Sequence, residues 1–357
     1  MTRMIVTAGG GGVGKTTTSA ALAMALARQG HRTLALTVDP ARRLADALGV
    51  EIGAGIRPAR TARGGVAFDL AMPAPDAALD DLAQALFTDP REREAFMGNG
   101  LYATLADAPA GMHEILVLLG LGGVLEEGRY DAVVLDTAPS RHALDFLAFP
   151  GQLAELLSGA SVGFFASFAQ RAGDAATAAV ERSRLLGWGK ARLEEAILKV
   201  LPPEFLVEGA RFFADLGPIR EPLVARARRA DALLREARFL LVSAPTRAAR
   251  QDALRLAEAL PKPAAGLLLN RADDGLPPAL AAEIDRVPQP AAEAAALLRE
   301  EAQGRRDALE RTERALRARL PTVPLHRLPT QHGGEPLAIV EGLAPHLEGL
   351  ARTLMAA

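Results

Sequence analysis

Met4-Ile5-Val6-Thr7-Ala8-Gly9-Gly10-Gly11-Gly12-Val13-Gly14-Lys15-Thr16-Thr17-Thr18-Ser19 is the stretch that decides the fold. An apolar run enters a glycine cluster, and Lys-Thr-Thr-Thr then opens an Ala- and Leu-rich helix, Ser19 to Gln29, closed by Gly30. Gly9 to Thr16 satisfy G-x-x-x-x-G-K-[ST] in the strand–loop–helix setting that this pattern requires. Glycines let the backbone curl so that successive N–H groups point at phosphate oxygens, and the following helix adds the positive end of its dipole. Gly9, Gly10, Gly11, Gly12, Val13, Gly14, Lys15, Thr16 and Thr17 are therefore read as a cradle for a nucleoside triphosphate. In it Lys15 reaches the β- and γ-phosphates, the Thr16 hydroxyl ligates Mg²⁺ and Thr17 reaches the α-phosphate. Gly9, Gly11 and Gly14 also satisfy G-x-G-x-x-G, the turn of a dinucleotide site with Asp39 as its ribose acid. Lys15-Thr16 directly after the last glycine favours the triphosphate.

The next acids extend this reading. Arg32 to Val38 is a second apolar strand that runs into Asp39-Pro40, and an acid at the carboxyl end of a strand lies where ligands collect in a doubly wound sheet. Asp39 either acts on an attacking water or caps the helix Ala41 to Leu48. Tyr130 to Thr137 places four apolar residues before Asp136, the pattern of a magnesium-side acid opposite Thr16. The loop Asp136 to His142 is expected to sense the γ-phosphate. None of the six histidines has ligand spacing with another, so His142 is assigned to loop packing.

Around this frame, Val66 to Ala71 reads as a third strand and Asp76 to Gly128 as helical. Ala143 to Leu234 is also helical by pattern, with apolar residues that include Phe164, Phe165, Phe168, Trp188, Phe212 and Phe213. These residues serve either a core or, as the sharper alternative, a groove for an apolar client or a dimer face. Strands return at Arg238 to Ser243, Ala264 to Asn270 and Thr322 to Leu328, separated by helices Thr246 to Leu260 and Ala291 to Arg319. A helix from Glu335 to Ala356 closes the sheet. Asn270-Arg271, at a strand's carboxyl end, is placed to read a base edge. The expected fold is α/β, a doubly wound, mostly parallel sheet of the P-loop type in a single domain over residues 1–357, with helical insertions at about 76–128 and 143–234.

Composition narrows the function. Of 357 residues none is cysteine, which removes disulfides, Cys-ligated zinc and thiolate-bound metalloids. A formal net charge of −2 offers no footprint for nucleic acid. The chain goes straight into a strand and carries no long apolar span, so a soluble, cytoplasmic protein is expected.

With these motifs in place the chain resembles the ArsA-type ATPases, a deviant-Walker branch of P-loop proteins. That branch includes arsenite-pump ATPases and the targeting factor for tail-anchored membrane proteins. The resemblance rests on GGGGVGKTTT (Gly9 to Thr18), TVDPARRLADALG (Thr37 to Gly49), PAGMHE (Pro109 to Glu114), LDTAPSRHALDFL (Leu135 to Leu147) and LLLNR (Leu267 to Arg271). It implies a dimer closing around two ATP molecules, Asp39 acting on the attacking water, Asp136 on the magnesium side and Asn270 on adenine. Backbone around Pro329 would also contact the base.

Three departures qualify the resemblance. Gly10 stands where this branch usually carries a signature lysine, as in a bacterial subgroup often paired with a lysine-bearing paralogue. The partner is therefore either a second copy or such a paralogue; the alternative functions are an ATP-gated targeting factor whose helices hold a hydrophobic or membrane-protein client, and a weakly hydrolysing regulatory subunit of the paralogue heterodimer. The family's metalloid- and zinc-binding cysteines are absent, and Ser140-Arg141 replaces Thr-Gly.

Overall fold

The structure is a computed structural model. It describes residues 2–37, 48, 56–61, 65–72, 75–99, 102, 117, 119, 128–137, 147, 149–158, 212, 214–273, 275–276, 278–284, 286, 291–331 and 335–356. Asp39, the segments 109–114 and 138–142, and the aromatic residues Phe164, Phe165, Phe168, Trp188 and Phe213 lie outside the described residues.

Among the described residues eight strands form one sheet in the order β3-β4-β2-β5-β1-β6-β7-β8. They are β1 (Arg3–Ala8), β2 (Thr33–Thr37), β3 (Ile56–Arg60), β4 (Val66–Ala71), β5 (Ala132–Asp136), β6 (Arg238–Ser243), β7 (Gly266–Leu269) and β8 (Leu325–Arg327). Every pairing is parallel except β3 with β4. The central strands are uninterrupted apolar runs, buried along their length, as parallel strands covered on both faces must be. The doubly wound, mostly parallel α/β sheet expected from the sequence is thus what the chain forms.

Strand β3 is absent from the sequence reading. Its sequence, Ile56-Arg57-Pro58-Ala59-Arg60, has two arginines and a proline and no apolar alternation. It survives because it is the sheet's last strand, pairing only with β4, where a missing N–H costs little.

Helix α1 (Lys15–Arg28) begins four residues before the Ser19 start expected from its apolar pattern. Thr18 Oγ1 donates to the Gly14 carbonyl (2.8 Å) and Ser19 Oγ lies 2.9 Å from the Lys15 carbonyl, so the hydroxyls bond back into the first turn instead of unravelling it. The helix is buried between the sheet and the C-terminal helix Pro336–Ala356. Its alanines allow close approach, while Leu22, Met24 and Leu26 pack in one core with Ile5, Leu240, Val242, Leu343, Leu347 and Leu354.

The chain divides into two compact units. The first, Met1–Pro73, Leu125–Leu144 and Leu233–Ala357, contains the whole sheet. The second, Ala74–Val124 and Asp145–Ala232, contains α2 (Pro75–Leu86), α3 (Pro90–Met97), α4 (Phe149–Ser158) and most of α5 (Arg220–Glu236). Within it Phe96 packs against Phe87, Tyr102 and Phe212 at centroid separations of 5.2, 5.2 and 5.3 Å. The Tyr102 hydroxyl donates to Asp80.

Candidate functional site

The order of the strands creates the site. From β1 the chain moves to β2 on one side, past β5, and later to β6 on the other, so the loop after β1 opens at the point where the sheet reverses its winding. Ligands of doubly wound sheets collect at the carboxyl ends of strands at such a point. Gly9 to Gly14 occupy it. Gly14, at φ 88°, turns the loop into α1 in a left-handed conformation that favours glycine.

Lys15 opens α1 and its side chain folds back over the loop. Its ammonium donates to the Gly9 and Gly10 carbonyls, both at 2.9 Å, and the residue is 6% exposed. A lysine head group buried among backbone carbonyls at the mouth of a helix N-terminus holds positive charge where an anion would enter. Thr16 and Thr17 follow in the first turn, both half-buried.

Asp136 ends β5 and is fully buried. Its alignment explains its surroundings: Asp136 sits in register with Thr7 of β1 on one side and Thr37 of β2 on the other. Thr37 Oγ1 donates to Oδ2 (3.3 Å), and Ser19 Oγ lies 3.2 Å from Oδ1. The Ser19 hydroxyl is also 2.7 Å from Thr7 Oγ1, which donates to the Leu135 carbonyl (3.1 Å), while Thr137 Oγ1 donates to the Thr7 carbonyl (2.8 Å). A buried carboxylate is costly unless hydrogen-bonded, and these hydroxyls meet that need while holding it rigid. Ser19 is three residues after Thr16, one helical turn on the same face, so its contact with Asp136 brings the Thr16 turn to the same end of β5.

Asn270 is brought to the loop from the end of β7, two strands from β1, and Pro329 to the turn that follows it. The Asn270 backbone N–H donates to the Ser243 carbonyl (2.9 Å), and its amide nitrogen donates to the Val13 carbonyl (2.9 Å). Its amide oxygen accepts from the Arg271 N–H (3.0 Å), and Arg271 adopts φ 56°. One amide proton of Asn270 is thus spent on the loop itself, and the second can serve a ring nitrogen of a base. The exposed Arg271 side chain follows. Leu328 N–H donates to the Leu269 carbonyl and Ala272 N–H to the Leu328 carbonyl, both at 2.9 Å, which lays Pro329 beside this turn. Asp273 fixes the arrangement by accepting from the Thr330 N–H (2.8 Å) and the Thr330 hydroxyl.

The structure therefore brings together Gly9 to Thr17, Asp136, Asn270, Arg271 and Pro329 at one edge of one unit, and Asp39 is outside the described residues. Sequence reasoning missed Thr7, Ser19 and Thr37 around Asp136, and Asp273 and Thr330 behind Asn270. Thr7 and Thr37 were visible in one respect: each is a hydroxyl near the end of an apolar strand beside a nucleotide loop.

Residues 2–175 match the family model described as anion-transporting ATPase. A Chlorobaculum tepidum protein provisionally named arsenical pump-driving ATPase is 30% identical over 251 residues, 69% of this chain and 56% of that protein. A Prosthecochloris vibrioformis protein with the same provisional name is 36% identical over 157 residues, 42% of this chain and 36% of that protein. The "ATPase get3" of Aspergillus terreus is 33% identical over 157 residues, 44% of this chain and 45% of that protein. The chain thus spans about half the length of the curated relatives it matches.

Proposed function

The chain belongs to the ArsA-type family of ATPases, and on that premise we propose that it binds ATP with Mg²⁺ and hydrolyses it to ADP and phosphate. The observation that carries this reading is Lys15: a cation held over a glycine loop at the sheet's switch point, beside a rigid buried Asp136. On arrival of ATP the ammonium exchanges the Gly9 and Gly10 carbonyls for the β- and γ-phosphate oxygens. Backbone N–H groups of Gly10 to Thr17 take the remaining oxygens, and the start of α1 stabilises their charge.

The residues present suit Mg²⁺. The half-buried Thr16 hydroxyl and the buried Asp136 carboxylate are oxygen donors of the kind this ion prefers. Thr16 Oγ1 would hold it, with Asp136 behind. Bound there, it would neutralise charge developing on the phosphates.

Asn270 and the turn around Pro329 would receive the adenine. Pro329 has no N–H, so it offers only a carbonyl. Asp39 would orient the attacking water. We read residues 1–357 as one ATPase domain carrying helical insertions, whose shape follows nucleotide state. Two such chains, either identical or this one with a lysine-bearing paralogue, would close around the nucleotides.

The test is ATP binding and turnover by the purified chain and Lys15→Ala. Removing charge-assisted bonds to phosphate is expected to weaken ATP binding about 10- to 100-fold, from roughly 1.5–3 kcal/mol. Unchanged affinity in Lys15→Ala overturns the assignment. Turnover that rises with protein concentration and vanishes in Asp39→Asn supports hydrolysis by a self-assembled dimer.

A further inference from the structure

The turn that would receive the base is tied by a carboxylate whose chemistry bears on which base enters. Asp273 lies three residues after Asn270, and the chain between them bends sharply. Arg271 takes φ 56°, which non-glycine residues seldom adopt, and Asn270 Oδ1 holds it there by accepting its N–H (3.0 Å). The bend sends Ala272 back to Leu328, whose carbonyl accepts the Ala272 N–H (2.9 Å). Asp273 thereby meets Thr330, the residue after Pro329. Its Oδ1 accepts the Thr330 N–H (2.8 Å) and its Oδ2 the Thr330 hydroxyl, and both residues are half-buried. On the other side Gln331 packs on the C-terminal helix, its Oε1 2.7 Å from where a Cβ on Gly342 would stand.

These bonds set the hydrogen-bonding character of the turn. Thr330 has both its polar hydrogens engaged by Asp273, and Pro329 has none to give. The backbone there offers a base carbonyl oxygens. Asn270 brings one amide hydrogen, the other being spent on the Val13 carbonyl (2.9 Å). Adenine matches that set, with ring nitrogens that accept and an exocyclic amino group that donates, whereas guanine carries the acceptor O6 where adenine has its amino group. The carboxylate matters more. Left free, it would accept from the N1–H and the amino group of guanine together, a pair of donors that suits two carboxylate oxygens, and would repel the N1 lone pair of adenine. Held by Thr330, both its oxygens are already engaged.

We infer that Asp273 and Thr330 together set the base selectivity of the nucleotide site, Thr330 keeping the carboxylate from guanine so that the slot takes adenine. The inference rests on the ATP-binding reading above and adds to it a choice between nucleotides. Thr330 is a positioning residue in this scheme, acting on the base through Asp273. Loss of one hydroxyl is then enough to admit the other purine.

The experiment measures binding of the β,γ-imido analogues of ATP and GTP, with Mg²⁺, to the full chain and to Thr330→Val, with melting curves to confirm folding. Thr330→Ala removes the same hydroxyl where valine perturbs the turn. The wild-type chain is expected to prefer the adenine nucleotide by at least about tenfold. In Thr330→Val the guanine nucleotide should bind about tenfold more tightly, the lower end for a charge-assisted hydrogen bond, with the adenine nucleotide within about twofold of wild type. In the double variant Thr330→Val/Asp273→Asn the guanine gain should vanish, because the amide still accepts the backbone N–H of position 330 but presents its other end as a donor.

Gains or losses shared equally by both nucleotides mean that Thr330 only shapes the turn, and overturn the inference. So does a guanine gain that survives Asp273→Asn, or a wild-type chain that takes guanine at least as tightly as adenine. Failure of the wild-type chain to bind either nucleotide refutes the ATP-binding reading itself and is recognised before any variant is compared.

Discussion

Gly14→Ala tests how the loop and the base turn depend on each other. At φ 88° a Cβ is strained, at about 1–2 kcal/mol. The same Cβ would lie 2.3 Å from the Asn270 amide nitrogen, so the amide must leave and its bond to the Val13 carbonyl is lost, about 1 kcal/mol more. The expected total is about 2–3 kcal/mol. Asn270→Ala removes both amide bonds and should cost about 2 kcal/mol. In the double variant nothing remains for the Cβ to displace, so only strain is added to the Asn270→Ala cost, about 3–4 kcal/mol in all. Simple addition gives about 4–5, leaving a coupling near 1 kcal/mol. Because the chain has two units, a single global transition is a poor probe, and amide exchange in β1 and β5 reports the sheet directly. The coupling corresponds to about a fivefold difference in exchange rate. Costs that add to within about 0.3 kcal/mol would refute the proposition that the two residues share one contact.

Two further outcomes are expected. Asp136→Asn keeps acceptor and donor groups for Ser19 and Thr37, so the protein should remain folded and bind ATP within about threefold of wild type while turnover falls by at least about 100-fold; near-normal turnover would remove Asp136 from the metal side. At the opposite, amino end of β5, hydrogen bonds from Arg32 push the Asp131 carboxyl down to about 2. A folded-state value below the unfolded one means stability is present above about pH 4 and lost as pH falls toward about 2. The pair is exposed, so solvent screening leaves it only a small contribution. Asp131→Asn should therefore lower stability slightly at pH 6 and flatten its fall between pH 4 and 2; an unchanged acid profile would show that Arg32 and Asp131 do not pair in solution.

Much of the sheet was legible because parallel strands buried on both faces are written as plain apolar runs. Val66 to Ala71 and Arg238 to Ser243 coincide with β4 and β6, β2, β5, β7 and β8 lie within the expected stretches, and β1 starts one residue before its own, at Arg3. Helices capped by their own residues were also visible: Thr246 precedes Arg247–Ala259 and accepts from it. Strand β3 was not, since a proline between two arginines becomes a strand only because β4 offers an edge. The early start of α1 was hidden because threonines score poorly in helices until their hydroxyls bond to the preceding turn.

For the site, local sequence determined the loop, its lysine and the acid at the end of β5, because a glycine run before Lys-Thr and an apolar run before Asp each carry their chemistry within a few residues. Tertiary structure alone decided what surrounds them. Asn270 is 257 positions from Val13, Ser19 is 117 from Asp136, and Thr330 is 57 from Asp273. Asp252 meets Gly10 only because β6 lies beside β1. None of these pairings has a local signature, since strand order and register, set by burial of the apolar faces, bring distant residues to the same edge of the sheet.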